Sequence, residues 1–320
     1  VRDTIAKAIP NELRIGTAAG IGIFLTFLGL KNAGVIASDP ITFVKLGHLG
    51  SPAVLATLGF AVTLLLMIRR SSLAFLAGIF FVTVIAWAYG DVQRPPSFFS
   101  APDFQTVFLK LDILGALKLS LLPAIIALTF TDLFDSISTF MGVAHAADML
   151  DEDGNPRNLR QGLIVDSFAT FGAGFAGTSP GTAYIESIAG INTGGKTGLT
   201  SVFTALCFLP CFFLAPLAGM VPVYATSPVL VLVGAAMFGS VTQINFKKIE
   251  EGLPGFLTII LIPLTSSITQ GILWGFISHV GLFLMVGRRK EIHPVMYVLA
   301  LIAIGLLLLE HSDVSKALYE

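Results

Sequence analysis

Two carboxylates interrupt an otherwise apolar stretch, Leu128-Thr129-Phe130-Thr131-Asp132-Leu133-Phe134-Asp135-Ser136-Ile137-Ser138-Thr139. At about 3.6 residues per helical turn, positions 129, 132, 135, 136 and 139 share one stripe, opposite a face of Phe and Leu. An ionisable group inside an apolar span is costly and by default marks a polar pathway or site. A carboxylate there accepts N–H bonds strongly, because water does not compete. A further acid, Glu186, follows the Gly/Pro-rich run Gly172 to Gly181. The glycines and Pro180 break a helix, Thr182-Ala183-Tyr184 suits a short extended piece, and Glu186 to about Thr193 is predicted to be a half-helix ending at Gly194-Gly195. Broken helices at membrane depth are tolerated only where they line a cavity or are buried in protein. The first turn of such a half-helix exposes backbone N–H groups that stabilise an ionised Glu186 and hold polar ligand atoms.

Blander readings exist for each residue. Asp132 could cap a helix end in water, and Glu186 could be solvated in a surface loop. Asp166 lies near a predicted helix start and is expected to face the membrane interface. His145 fits a satisfied histidine at a helix end better than a proton path, and His279 and Gln270 fit packing or an interhelical hydrogen bond. The stretch 151–155, Asp-Glu-Asp-Gly-Asn, lacks the Glu that a calcium loop needs at its twelfth position, where Gly162 stands, so it is expected to be a solvated turn. Cys207 and Cys211 sit in an apolar run without acidic or His neighbours, which favours packing over metal or redox chemistry.

The elements that must position these acids are membrane spans. Charged residues make up 12% of the 320, against about 25% in soluble domains. Hydrophobic residues reach 54%, Phe alone contributes 26, and the mean hydropathy is +0.85. A water-soluble fold is excluded, and a net charge of −1 offers nucleic acid nothing to bind. Apolar runs predict spans at 15–30, 46–68, 71–90, 119–145 and 161–177, two within 197–246 broken at Pro222 and at Thr226-Ser227-Pro228, two within 252–287 split near Ser266, and one at 292–309. About ten elements result, and continuous rather than alternating apolarity excludes a β-barrel. If successive spans alternate and 151–160 faces the cytoplasm, the cytoplasmic segments hold most of the 19 basic residues. The chain opens at Val1 rather than Met, as the middle of a longer polypeptide would.

Several strings carry a resemblance. Thr131-Asp132-Leu133-Phe134-Asp135-Ser136, Gly177-Thr178-Ser179-Pro180-Gly181-Thr182-Ala183-Tyr184-Ile185-Glu186-Ser187, Gly194-Gly195-Lys196-Thr197-Gly198-Leu199-Thr200 and Ala215-Pro216-Leu217-Ala218-Gly219-Met220-Val221-Pro222 resemble the adenine/guanine/hypoxanthine permease branch of the nucleobase–ascorbate, or xanthine/uracil, transporters. The resemblance implies an all-α polytopic membrane protein built as a 7+7 inverted repeat, with one discontinuous half-helix preceded by a short strand. Residues 1–90 would be gate-domain helices 5–7 and 91–110 an external loop. Residues 111–220 would be core helices 8–11 with the substrate site, 226–287 gate helices 12–14, and 292–310 an additional C-terminal helix. Helices 1–4 have no counterpart.

By the same resemblance Asp132 and Glu186 bind substrate with Thr182 and Ser187, while Asp135 and Ser136 support proton coupling. The implied function is proton-coupled purine uptake at the plasma membrane, a bacterial inner membrane. The implied partners are a purine nucleobase, a proton, the lipid bilayer and a second copy docked through the gate domain; no cofactor, metal or nucleic acid is involved. The chemistry is coherent. A purine presents N–H donors in one plane, and two acids in a dry cavity cannot both ionise cheaply, so one takes a proton and couples it to the ligand. A same-fold transporter of uracil, xanthine or an anion is the competing reading. An intramembrane aspartyl protease is remote, because no Gly-x-Gly-Asp occurs and Asp132 and Asp135 share one helix. The site reading places Asp132 and Glu186 within about 10 Å of each other. It also leaves Thr182–Tyr184 without a strand partner and this polypeptide unable to bind or transport purine by itself.

Overall fold

The computed structural model describes residues 8–71, 73–92, 97–118, 121–151, 156–184, 187–192 and 194–311. Helix α1 (Asn11–Asn32) leads into a hairpin of β1 (Ile36–Asp39) and β2 (Phe43–Leu46), then α2 (Ser51–Ile68) and α3 (Ala74–Ala88). A short α4 (Ile113–Ala116) precedes α5 (Leu122–Ala146), α6 (Leu159–Ala176) and the six-residue α7 (Ser187–Asn192). There follow α8 (Gly198–Phe208), continued as 3₁₀ helix over Leu209–Phe213, α9 (Ala215–Ala218) and α10 (Val223–Phe238). The chain closes with α11 (Ile249–Thr265), α12 (Ile268–Met285) and α13 (Pro294–His311).

Among the described residues, four helices are long and apolar enough to cross a membrane: Asn11–Asn32, Ser51–Ile68, Val223–Gln243 and Ile268–Met285. Ala74–Ala88, Gly198–Phe213 and Pro294–Leu308 are shorter apolar helices. The protein is therefore helical and polytopic, and of the about ten spans expected, four are long and apolar enough to cross a membrane among the described residues. Apolar runs predicted the helices well and their usable lengths poorly. The run beginning at 197, for example, tightens into 3₁₀ geometry at Leu209-Pro210, because Pro210 has no N–H for an α-helical bond. The expected break at Thr226-Ser227-Pro228 is also corrected, since these residues lie within α10. Pro228 lies only one turn into α10, and the Thr226 and Ser227 hydroxyls both donate to the Val223 carbonyl, at 2.9 and 3.3 Å. The split near Ser266 is found where predicted, with Ser266 left-handed at φ 52° and Ser267 Oγ accepting the Gln270 N–H at the start of α12.

Residues 182–184, expected as a short extended piece without a strand partner, are irregular and have no ladder partner among the described residues. A strand exists only when its N–H and C=O groups meet a neighbour. Meanwhile an unexpected hairpin pairs Ile36 with Leu46 and Asp39 with Phe43. Asp39 fixes its turn, taking the Ile41 and Thr42 N–H groups on Oδ1 at 2.9 and 3.0 Å and Lys45 Nζ on Oδ2 at 3.1 Å. Those N–H donors, helped by Lys45, hold its carboxyl down at about 2.

The chain falls into two compact units, Val1–Ile23 with Gln105–Ile188 and Met237–Glu320, and Phe24–Phe104 with Ala189–Ala236. In the first, the start of α1 joins α12 and α13 around Leu13, Phe276, Phe283, Met296 and Leu299, and meets α11 through Ala19 and Ile259. Lipid provides no hydrophobic drive between helices, so close backbone approach through small residues matters. A Cβ on Gly16 would stand 2.9 Å from the Gly255 carbonyl oxygen, and one on Gly275 2.3 Å from Thr258 Oγ1. In the second unit, α2 and α3 meet through Leu55, Val82 and Ala86, with Ala225 of α10 completing the cluster.

Candidate functional site

The first unit also contains the helix pair that carries the acids. Helices α5 and α6 pack through Leu133, Ile137, Leu159 and Leu163, with Phe140 half-buried against them. Into this apolar seam α5 sends Asp132, Ser136 and Thr139, which are 8%, 0% and 6% exposed. Spacings of four and three residues keep these side chains within about 60° of one face. Asp135 lies off to the side and is half-buried, while Thr129 is exposed and its hydroxyl donates to the Ile125 carbonyl at 2.8 Å. The five-residue polar stripe thus resolves into a buried part and an outer part.

Opposite stands Asp166, on α6 and only 4% exposed. Ser136 Oγ donates to its Oδ2 at 2.9 Å. The expectation that Asp166 faces the membrane interface is therefore corrected. It lies well inside α6, and its spacing from Leu159 and Leu163 places all three on the packing face. That spacing was the available signal, and the charge outweighed it. A carboxylate in such a seam is tenable because a fully buried hydroxyl satisfies one of its oxygens.

The segment after α6 folds back along it. Gly177 ends α6 at φ 73°, with Thr178 N–H bonded to the Ala173 carbonyl at 3.0 Å. A Cβ there would also come within 2.5 Å of the Val107 carbonyl oxygen, so glycine is required twice over. Gly181 then passes over Ala169, and Thr170 Oγ1 stands 3.5 Å from the Gly181 carbonyl. Thr170 is one turn beyond Asp166, and the return brings half-buried Thr182 alongside the same helix. Ser187 is the exposed first residue of the half-helix α7. Glu186, and with it the Asp132–Glu186 separation, lies outside the described residues, as do the acids at 152 and 153 and the side chain of His145.

Among the described residues no group of three His, Cys, Asp or Glu side chains could hold a metal ion. Cys207 and Cys211 are free and exposed. The arrangement that remains is two buried carboxylates on facing helices, one already held by a serine, beside a Gly-rich return. It can accept N–H donors from a planar polar ligand.

Comparison with known proteins matches residues 1–274 to the xanthine/uracil permeases, described as a Permease family. The chain belongs to that family. It is 40% identical to the adenine permease AdeP of Escherichia coli K12 over 305 residues, 95% of this chain and 68% of the relative. Adenine permease AdeQ of the same strain is 38% identical over 97% of the chain and 70% of its own length. Guanine/hypoxanthine permease PbuO of Bacillus subtilis 168 is 37% identical over 94% and 71%. The protein is thus a transporter rather than an enzyme, a multi-pass plasma-membrane member of the branch that includes the bacterial adenine and guanine/hypoxanthine permeases.

Proposed function

We propose that the protein takes up purine nucleobases, adenine, guanine or hypoxanthine, in symport with a proton. The observation that carries this reading is the likeness, over more than nine-tenths of the chain, to permeases named for adenine and for guanine and hypoxanthine. In this reading Asp132 and Glu186 accept the purine N–H groups, and Thr182 and Ser187 supply hydroxyls to its ring nitrogens and carbonyl. Asp135 and Ser136 support the coupling proton. The buried Ser136–Asp166 bond adds a member to this group, because a ligand that draws on Ser136 must redistribute the donor that Asp166 now holds.

The half-helix α7 begins at Ser187, next to Glu186 in sequence; the Ser187 N–H is held by the Tyr184 carbonyl at 3.1 Å, so a ligand would share the later N–H groups of this first turn with the carboxylate. A gate domain at 1–90 and 226–287 would carry the dimer contact. Uptake of labelled adenine, guanine and hypoxanthine by the full-length protein, in cells lacking their own purine permeases, tests the reading. Saturable uptake abolished by a protonophore, and resistant to competing uracil, xanthine and ascorbate, is expected. Uptake competed by uracil or xanthine as well as by purines, or insensitive to the protonophore, would replace it with a same-fold transporter of another solute or coupling.

A further inference from the structure

The bundle of α1, α11, α12 and α13 holds titratable groups that the transport site does not use. His279, on α12, is 2% exposed, and its Nδ1 lies 3.5 Å from Glu12 Oε1 on α1. The ring stacks on Phe283 with centroids 4.2 Å apart, and the Arg288 guanidinium stands 4.9 Å from the centroid of the same Phe283 ring. Arg14, also on α1, is 9% exposed; its Nη2 binds Asn11 Oδ1, while its Nε and Nη1 meet no acceptor. Arg288 binds Glu250 at 2.8 Å, Glu251 at 3.2 Å and Glu291 at 2.5 Å, and Lys248 binds Glu251 at 3.0 Å. Glu251, Arg14 and Arg288 all act electrostatically on Glu12. Of the other elements packed on α12, α5 carries Asp132 and Asp135, and the turn before α13 carries Arg289, Lys290 and His293.

Within the bonded group, the permanent cations Arg14, Lys248 and Arg288 face the carboxylates Glu12, Glu250, Glu251 and Glu291. One carboxylate exceeds the cations. Arg288 and Lys248 engage the other three, which leaves Glu12 with the buried guanidinium of Arg14 and the imidazole of His279. A proton added to the Glu12–His279 pair makes the group neutral.

We propose that Glu12 and His279 form a buried proton-binding site whose occupancy clasps α1 to α12. In the filled state one proton lies between Nδ1 and Oε1, as imidazolium with carboxylate or as imidazole with carboxylic acid, and the pair titrates as a unit. In the empty state the carboxylate faces a neutral imidazole 3.5 Å away whose Nδ1 makes no hydrogen bond, and the charge-assisted bond is absent. The Gly16–Gly255 and Gly275–Thr258 approaches fix α1 and α12 on α11, so a change in this bond acts on a tightly packed joint rather than on loose side chains. The inference does not rest on the purine assignment.

The test uses the full-length protein purified in detergent, melted at intervals from about pH 4 to about pH 8. Wild type is compared with Glu12→Gln, His279→Gln and the double variant, and the ring nitrogens of His279 are followed by NMR. Wild type is expected to melt about 2–4 °C above either variant at the acid end, with the gap closing toward the alkaline end. The double variant should melt no lower than the singles, and the His279 titration should move in Glu12→Gln. A gap constant across pH would mean a merely structural contact and overturn the proposal, as would a His279 resonance indifferent to Glu12→Gln. If His279→Gln does not fold, the wild-type resonance and Glu12→Gln decide alone.

Discussion

Removing one oxygen from Ser136 tests the α5–α6 seam most directly. In Ser136→Ala the packing atoms around Cβ remain, and the void left is smaller than a methylene, worth under about 1 kcal/mol. The lost interaction is the 2.9 Å bond to Asp166 Oδ2. Hydrogen bonds to charged groups contribute about 1.5–3 kcal/mol net, and with Ser136 at 0% exposure water cannot take the hydroxyl's place, so the upper part of that range applies. A loss of about 2–3 kcal/mol corresponds to a roughly 30- to 150-fold change in the folding equilibrium. Denaturation of the purified full-length protein measures it, with Thr129→Ala as the control. Thr129 is exposed and bonds only within its own helix, so its loss should stay below about 0.5 kcal/mol. A double-mutant cycle with Asp166→Asn isolates the pair, and the coupling should recover most of the single-variant loss. If Ser136→Ala costs no more than Thr129→Ala, the seam is not held by this bond and its place in the proposed site falls.

Other expectations follow from the same structure. Glu186→Gln and Asp132→Asn should each abolish purine uptake by the full-length protein without impairing membrane insertion, and Asp135→Asn should be milder; near-normal uptake by Glu186→Gln would place the site elsewhere. Gly16→Ala should lower stability by about 1–3 kcal/mol, because its new methyl meets the Gly255 backbone, whereas Gly281→Ala, with open space around it, should be tolerated; equal melting temperatures for the two would refute the close crossing. Asp39 has its carboxyl held down at about 2, so its support of the hairpin is complete above the usual carboxylate range and is lost as pH falls toward 2. Protection of the Ile41 and Thr42 amides, their exchange compared with the intrinsic rate at each pH, should fall over that acid window, and unchanged protection would show that Asp39 does not fix the turn.

The part of the site that follows helical period was legible in advance. Asp132, Ser136 and Thr139 fall on one buried face because their spacing dictates it, and the half-helix at Ser187 appears where Gly and Pro stop the preceding element. What escaped was burial against expectation of charge. Asp166 shares the spacing of Leu159 and Leu163, but its solvation cost is offset by a serine 30 positions away, and nothing local announces that partner. His279 was expected to pack or to make an interhelical hydrogen bond; it stacks on Phe283, and the acid it faces comes from α1, more than 260 positions away, which nothing local announces. The hairpin was missed because four-residue strands carry little periodicity. Its one local signal, Asp39-Pro40 before Ile41 and Thr42, marks a turn without saying what the turn joins.

Helix length carries a consequence for the lipid. Helices α2 and α12, two of the four long enough to cross a membrane, have 18 residues each, and at about 1.5 Å per residue they extend about 27 Å. A typical hydrocarbon core is about 30 Å thick. Where these helices cross it, the bilayer must thin around them or their end residues must reach outward, at a fraction of a kcal/mol for each ångström of mismatch. The Ser266–Ser267 link between α11 and α12 allows no adjustment of its own, since one left-handed residue and one cap residue already fill it. Short-chain lipids should therefore suit the folded protein better than long-chain ones, which makes membrane thickness a variable of its stability in its own right.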